Sequence, residues 1–324
     1  MDKYIGIDIA KQTFDVYGVT VNGKEEFAQL KQTKKNYQRL IQRFGKDKTY
    51  VMEATGPYYM KLATFLYEKD VPVAVVNPLI IKRFSQMNLQ RAKTDKKDAQ
   101  TIHNYAFYQG VTLWTPPPEA IKQMQQILSA LELIHKQMTA TSNQLKALKA
   151  SGSIDPQVSK TLKGMLTKYA REIKRLEQQL NQIVKIHYPS TQKRLQSIPG
   201  LGKKATAVLI AVTHNFEKFA HYKQVIAFVG FSPRVYESGT SVKGKGHICK
   251  LGKAHVRKQM YMSAWAAKFH NKSCMQMYER LHAKGKPEQV IKIAIANKIL
   301  KQAFAVVENQ TMYDPNFVSK PYVA

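Results

Sequence analysis

Four acidic residues stand out in a chain that is otherwise strongly basic. Asp8 lies in the β-branched run Tyr4-Ile5-Gly6-Ile7-Asp8-Ile9-Ala10, and Glu53 ends Tyr50-Val51-Met52. Asp95 and Asp98 stand three apart in Arg91-Ala92-Lys93-Thr94-Asp95-Lys96-Lys97-Asp98-Ala99. If the residues after Thr94 are helical, that step sets both carboxylates on one face. Four carboxylates converging at a sheet edge repel one another, and divalent cations relieve the repulsion. Hard oxygen ligands suit Mg²⁺ or Mn²⁺. Two such ions about 4 Å apart clamp the attacking and leaving oxygens of a phosphodiester. Taken singly, each acid has a plainer explanation. Asp8 fits a strand-end turn, Glu53 a surface partner for Lys61, and Asp95 and Asp98 the favourable end of a helix dipole. The case rests on the four together, in the order strand Asp, strand Glu, helix Asp-x-x-Asp.

Two further segments carry chemistry. Ser197-Ile198-Pro199-Gly200-Leu201-Gly202-Lys203-Lys204 is a Gly-apolar-Gly turn opening a helix, with backbone N–H groups and two lysines suited to a phosphate. A plain helix-to-helix connection reads the same way. Farther on, Ser232 to Gly246 is expected to form a Gly/Ser/Lys-rich loop, with Arg234, Lys243, Lys245, Lys250, Lys253 and Arg257 as phosphate counter-charges in and after it. Ser238, Thr240 and Ser241 supply hydroxyls there. Such a hydroxyl either attacks phosphorus or only hydrogen-bonds a phosphate, and spacing alone favours the second. His247, Cys249 and His255 lack a fourth ligand at zinc spacing.

The elements that must position these groups follow from periodicity. Strands are expected at 4–10, 14–19, 25–30, 50–53 and 71–76, and helices at 36–44 and 58–68. A meander followed by alternating strands and helices gives an α/β domain with a mixed sheet, over 1–118. Thr115-Pro116-Pro117-Pro118 marks its end. Residues 119–190 carry two apolar stripes at three- and four-residue steps, broken at Ser151 to Pro156, as an antiparallel helix pair or coiled-coil arm requires. Residues 191–324 read as mostly helical. An actin-like or sugar-kinase-like ATPase also opens on such a strand and hairpin, but the later phosphate and adenosine motifs are missing.

Charge narrows the partners. The 324 residues hold 51 Lys and Arg against 22 Asp and Glu, a net charge of +29. Residues 191–324 hold 22 basic and 6 acidic side chains, over half of that excess. Nucleic acid is the expected polyanion. With 44% hydrophobic residues and two cysteines, global disorder and a disulfide scaffold are excluded. No apolar run reaches membrane-span length and no signal-peptide profile is present, so a soluble, cytoplasmic protein is expected, with no membrane partner.

Taken together, Gly-Ile-Asp8-Ile-Ala-Lys, Met-Glu53-Ala-Thr-Gly-Pro-Tyr, Arg91-x-Lys-Thr-Asp95-x-x-Asp98-Ala99, Ile198-Pro-Gly-Leu-Gly, Gly230-Phe-x-Pro-Arg, Ser238-Gly239, Lys250-x-Gly and Val256-Arg257 are highly specific. On these residues the sequence resembles, over nearly its whole length, the DEDD-type insertion-sequence transposases related to Piv-type DNA invertases, a bridge-RNA-guided recombinase family. The resemblance implies a RuvC-like RNase-H-fold N-terminal domain with Asp8, Glu53, Asp95 and Asp98 as Mg²⁺ ligands. It implies a coiled-coil arm used in dimeric or tetrameric assembly, and a C-terminal transposase domain with a helix-hairpin-helix-like turn. It also implies that Ser238 attacks DNA, with Ser241 as the alternative, and that a structured non-coding RNA guides the reaction. Cys249 stands where a small residue such as serine is expected and Val256-Arg257 replaces Leu-Arg, neither at a proposed catalytic group. A metal-dependent nuclease, such as a junction resolvase, and a non-catalytic nucleic-acid binder are the competing functions.

Overall fold

The computed structural model describes residues 3–89, 94–234, 237–238, 242–243 and 247–317, with only the backbone of 237, 238, 242 and 243. The fold is mixed α/β and mostly helical. It divides into two compact units, Met1–Pro116 and Pro117–Ala324, with the break inside the proline run. Among the described residues no helix is long and apolar enough to cross a membrane.

In the first unit β1 (Tyr4–Ile9), β2 (Thr13–Val19) and β3 (Glu25–Lys31) form an antiparallel meander. Helix α1 (Lys34–Phe44) returns the chain to β4 (Thr49–Glu53), and α2 (Tyr59–Tyr67) returns it to β5 (Val73–Val76), so both later strands run parallel to their neighbours. The sheet order is β3-β2-β1-β4-β5. A helix not expected from the sequence follows, α3 (Pro78–Met87). Asn77 accepts the Leu79 N–H at 2.9 Å and Pro78 takes the first helical position, so the residue pair read as a strand stop is also a helix start. Last comes α4 (Asp95–Gln109), capped by Thr94, whose hydroxyl accepts the Lys97 N–H.

The two faces of this sheet differ. Ile5, Ile7, Phe14, Val16, Tyr50 and Met52 pack on α1 and α2 in one core. Val51, Ala74 and Val76 pack on Ile81 of α3 and on Ile102 and Ala106 of α4 in the other. Gly6 belongs to the second face, and a Cβ there would lie 2.2 Å from the Ala99 carbonyl oxygen and 2.5 Å from the His103 nitrogen. Thus α4 lies backbone-on-backbone across β1. His103 Nδ1 sits 3.0 Å from the Tyr4 carbonyl oxygen, so the helix runs back along the strand toward its start.

The second unit opens with two 32-residue helices, α5 (Glu119–Ala150) and α6 (Pro156–His187), packed side by side. Their joined base is buried through Ile121, Met124, Ile127, Leu180 and Val184, within the core of the unit. Toward the distal ends only Thr141 and Leu145 are buried. Then follow α7 (Pro189–Gln196), α8 (Lys203–Thr213) and α9 (Tyr222–Val229). Every residue of α8 from Ala205 to Thr213 is buried, as an all-round apolar helix must be at a domain centre.

Among its described residues the segment read as a loop carries the strand pieces β6 (Pro233–Arg234), β7 (Glu237–Ser238), β8 (Val242–Lys243) and β9 (His247–Ile248). Nested pairing of β6 with β9 and β7 with β8 makes an antiparallel hairpin. The unit ends with α10 (Ala254–His270), α11 (Lys272–Ala283) and α12 (Glu288–Glu308). Fully buried Asn271 joins them: its amide donates to Gln302 at 3.0 Å and to the Pro199 carbonyl, while its oxygen accepts from Ser273, Tyr313 and the Cys274 N–H. Gly200, at φ +104°, lets the Pro199–Gly202 turn meet α10, since a Cβ would lie 2.6 Å from that of Ala267.

The contact at Gly6 yields a direct expectation. Gly6→Ala drives a methyl into the backbone of α4 and is expected to destabilise the first unit by roughly 1–3 kcal/mol or more. Urea unfolding checks this, and an unchanged midpoint would show that α4 does not depend on the bare strand.

Candidate active site

The α4 contact decides where the acids sit. Asp8 and Asp15 are register partners across β1 and β2, so they share a face. Ile7 pairs with Met52 in the parallel ladder, and Asp8 and Glu53 each follow on the opposite face, the α4 side. With Ala99 and His103 over Gly6, the first turn of α4 brings Asp95 and Asp98 to the Asp8 end of that face.

The electrostatics agree with this placement. The Asp8 carboxyl is pushed up from 3.8 to about 6, first by burial and then by the charges of Asp98, Glu53 and Asp15. Asp15 is also raised, mainly by burial, with Asp95 adding repulsion and a 3.0 Å hydrogen bond from Gln29 Nε2 opposing it. Glu53 accepts the Thr55 hydroxyl at 2.9 Å. Asp8, Glu53 and Asp15 therefore share one sheet face, and Asp98 and Asp95 in the first turn of α4 lie near enough to act on Asp8 and Asp15 respectively. Asp15 is only 3% exposed. Its signal was an acid inside Phe14-Asp15-Val16, which strand alternation alone assigns to the solvent side.

The donor set suits a hard divalent ion, since carboxylate oxygens are crowded enough to resist ionisation at Asp8. Among the described residues, however, no group of three or more His, Cys, Asp or Glu side chains is arranged to hold one. The carboxylates share a face without being drawn into a coordination shell.

In the second unit Ser238 lies in β7, its backbone opposite Val242, and Lys243 lies opposite Glu237. Ser241 and Lys245 lie outside the described residues. The base of the hairpin is fixed by α10: Arg257 donates to the Val229 carbonyl at 3.0 Å and to the Gly252 carbonyl at 2.9 Å. Gly252 permits that crossing, as a Cβ would lie 2.4 Å from the Phe228 carbonyl oxygen. Arg257 is thus already engaged as a clamp. Lys204 is engaged too, with Glu177 at 2.7 Å. Lys203, Arg234, Lys250 and Lys253 are exposed.

The acids thus lie in the first unit and the strand bearing Ser238 in the second, and comparison with known proteins gives the class of protein. A family profile for DEDD-type IS110 transposases, described as "Transposase", matches residues 5–149, and one described as "Transposase IS116/IS110/IS902 family" matches residues 192–279. The "Pilin gene-inverting protein" of Moraxella lacunata is 28% identical, over 96% of this chain and 97% of its own length. The "Transposase for insertion sequence element IS1111A" of Coxiella burnetii is 24% identical over 96% and 91%. The chain carries the two domains of a transposase. It belongs to the IS110 family.

The Asp8 shift carries a sign. The folded state holds that proton more tightly than the unfolded chain, so the contribution of Asp8 to stability is most favourable below about pH 4, falls as pH rises through 6, and stays lower above. In chelator-treated protein, Asp8→Asn is expected to stabilise the first unit by about 1–2 kcal/mol at pH 7.5, after allowance for solvent screening. The gain should vanish at pH 4. Chemical unfolding at both pH values checks this, and destabilisation at pH 7.5 would contradict the crowding.

Proposed function

We propose that this transposase cuts and rejoins DNA strands with two sets of groups: the carboxylates Asp8, Glu53, Asp95 and Asp98, and the hydroxyl of Ser238. The observation that carries the reading is the placement of Asp8 and Glu53 on the sheet face that α4 covers, where burial first, and then the charges of Asp98 and Glu53, raise the proton affinity of Asp8. The order β3-β2-β1-β4-β5, antiparallel then parallel, supports a RuvC-like domain. Mg²⁺ or Mn²⁺, when bound, would stabilise negative charge on the oxygens of a phosphodiester. The four carboxylates would hold it, and the fixed α4 would keep Asp95 and Asp98 over the strands.

In the joining chemistry the Ser238 oxygen bonds to phosphorus, losing its proton, as the bond from phosphorus to a deoxyribose oxygen breaks and that oxygen gains a proton. The phosphoserine link conserves the bond energy for rejoining. Ser241 is the alternative nucleophile. The assignment is supported by the position of Ser238 in a short paired strand, within a stretch of sequence rich in lysine and arginine. The exposed distal halves of α5 and α6 support a coiled-coil arm in a dimer or tetramer. The net charge of +29 suits both DNA and the structured guide RNA that the family resemblance implies. The relatives' names, a gene-inverting protein and a transposase, support strand exchange on DNA.

A second reading, a metal-dependent nuclease in which Ser238 only grips phosphate, draws on the acids lying entirely within the first unit. A suicide DNA substrate, supplied with the element's own RNA and a divalent ion, separates the two. The proposal expects a denaturation-resistant protein–DNA adduct that Ser238→Ala abolishes. It also expects Asp95→Asn with Asp98→Asn to lose strand exchange while DNA binding stays within about twofold, because ligands and not phosphate contacts are removed. Cleavage surviving Ser238→Ala but lost in Asp8→Asn would favour the nuclease.

A further inference from the structure

Another surface of interest in the second unit lies on α10. On α10, Met262, Trp265 and Phe269 follow one another at helical spacing and are 57%, 47% and 57% exposed. Beneath them lie two lysines. Lys292 is only 6% exposed, and its ammonium sits 3.5 Å from the centroid of the Trp265 ring. The Lys268 ammonium lies 4.0 Å from the Tyr278 ring and 5.1 Å from the Phe269 ring. One carboxylate oxygen of Glu288 serves both cations, at 3.0 Å from Lys268 and 3.5 Å from Lys292. Two ammoniums and one carboxylate leave the layer under the rings positive.

We infer that Trp265 and Phe269 form a stacking platform for the unpaired bases of a single-stranded nucleic acid. The inference rests on the reading that this chain acts on nucleic acid. Three features favour bases over other apolar partners. The cation beneath Trp265 holds the ring in place, so little side-chain freedom is lost on binding. It also draws electron density from the ring, which improves stacking with an electron-rich base on the open side. Finally, the surroundings are cationic. Residues 191–324 carry 22 basic and 6 acidic side chains, and Lys258 is exposed one turn before Met262. Lys284 and Lys286 are exposed in the link to the helix that bears Glu288. A second copy of the chain would bring the same positive charge, whereas a polynucleotide brings phosphates for the lysines and flat faces for the rings. A duplex hides those faces within its stack, so the platform selects unpaired nucleotides.

The chain has two tryptophans, so the full-length Trp114→Phe variant leaves Trp265 as the reporter. Its fluorescence is followed during titration with single-stranded DNA, single-stranded RNA and a duplex of equal length. Saturable quenching by either single strand but not by the duplex is expected, and the two single-stranded arms show which sugar is preferred. In the wild-type background Trp265→Ala should weaken single-strand binding about 5- to 100-fold and leave duplex affinity unchanged, while Trp265→Phe keeps most of the binding. Equal weakening of duplex and single strand, or no quenching while duplex still binds, overturns the platform and leaves the recombinase reading standing. Quenching that grows with protein concentration alone assigns the patch to self-association and overturns it too. Failure to bind any nucleic acid overturns both readings. Circular dichroism of each variant confirms the fold.

Discussion

With no side chain at position 6, the backbone of α4 can lie directly on the first strand. Almost everything at the acidic site depends on that contact. It fixes the height of α4 above the sheet, and the Thr94 cap fixes where the helix begins. Together they put Asp95 and Asp98 in the turn that overhangs Asp8, Asp15 and Glu53. The resulting crowding of like charge is unfavourable for the protein alone. It registers in the proton affinity of Asp8, where burial and three neighbouring carboxylates act in the same direction. The cation proposed for this face would offset that cost.

The second unit solves a different problem, presenting a small hairpin from a helical body. The all-buried α8 forms the centre, and Asn271 ties the Pro199–Gly202 turn to α11, α12 and Tyr313. Arg257 then holds the hairpin base through two backbone carbonyls. In this unit several cations serve the fold first. Lys204 pairs with Glu177, and Lys292 lies under Trp265. Net charge therefore overstates how many lysines and arginines are left to meet phosphate.

Where periodicity was strong, the sequence was enough. The five strands of the sheet, α1, α2 and the two long helices all follow from alternation, apolar stripes and caps, while α4 was only a condition placed on the residues after Thr94. Carboxylates at strand ends and in an Asp-x-x-Asp step are conspicuous in a basic chain, which is what drew attention to Asp8, Glu53, Asp95 and Asp98. Other features needed the third dimension. Helix α3 was hidden because Asn77-Pro78 reads equally as a stop and a start. The paired strand residues between 233 and 248 lie among glycines, serines and lysines, where no alternation of apolar and polar residues shows. Asp15 sits at a position that alternation assigns to solvent, and only the packing of α4 on that face buries it. The role of Gly6 and the clamp made by Arg257 depend on partners nearly a hundred and nearly thirty residues away.

The central claim is that the carboxylates on the α4 face make one cation site. Calorimetric titration of metal-free protein with Mn²⁺ at pH 7.5 tests it most directly. The account predicts saturable binding that is lost in Asp95→Asn with Asp98→Asn, with far-ultraviolet circular dichroism unchanged. Binding of equal strength in wild type and double variant, or none in either, would contradict it.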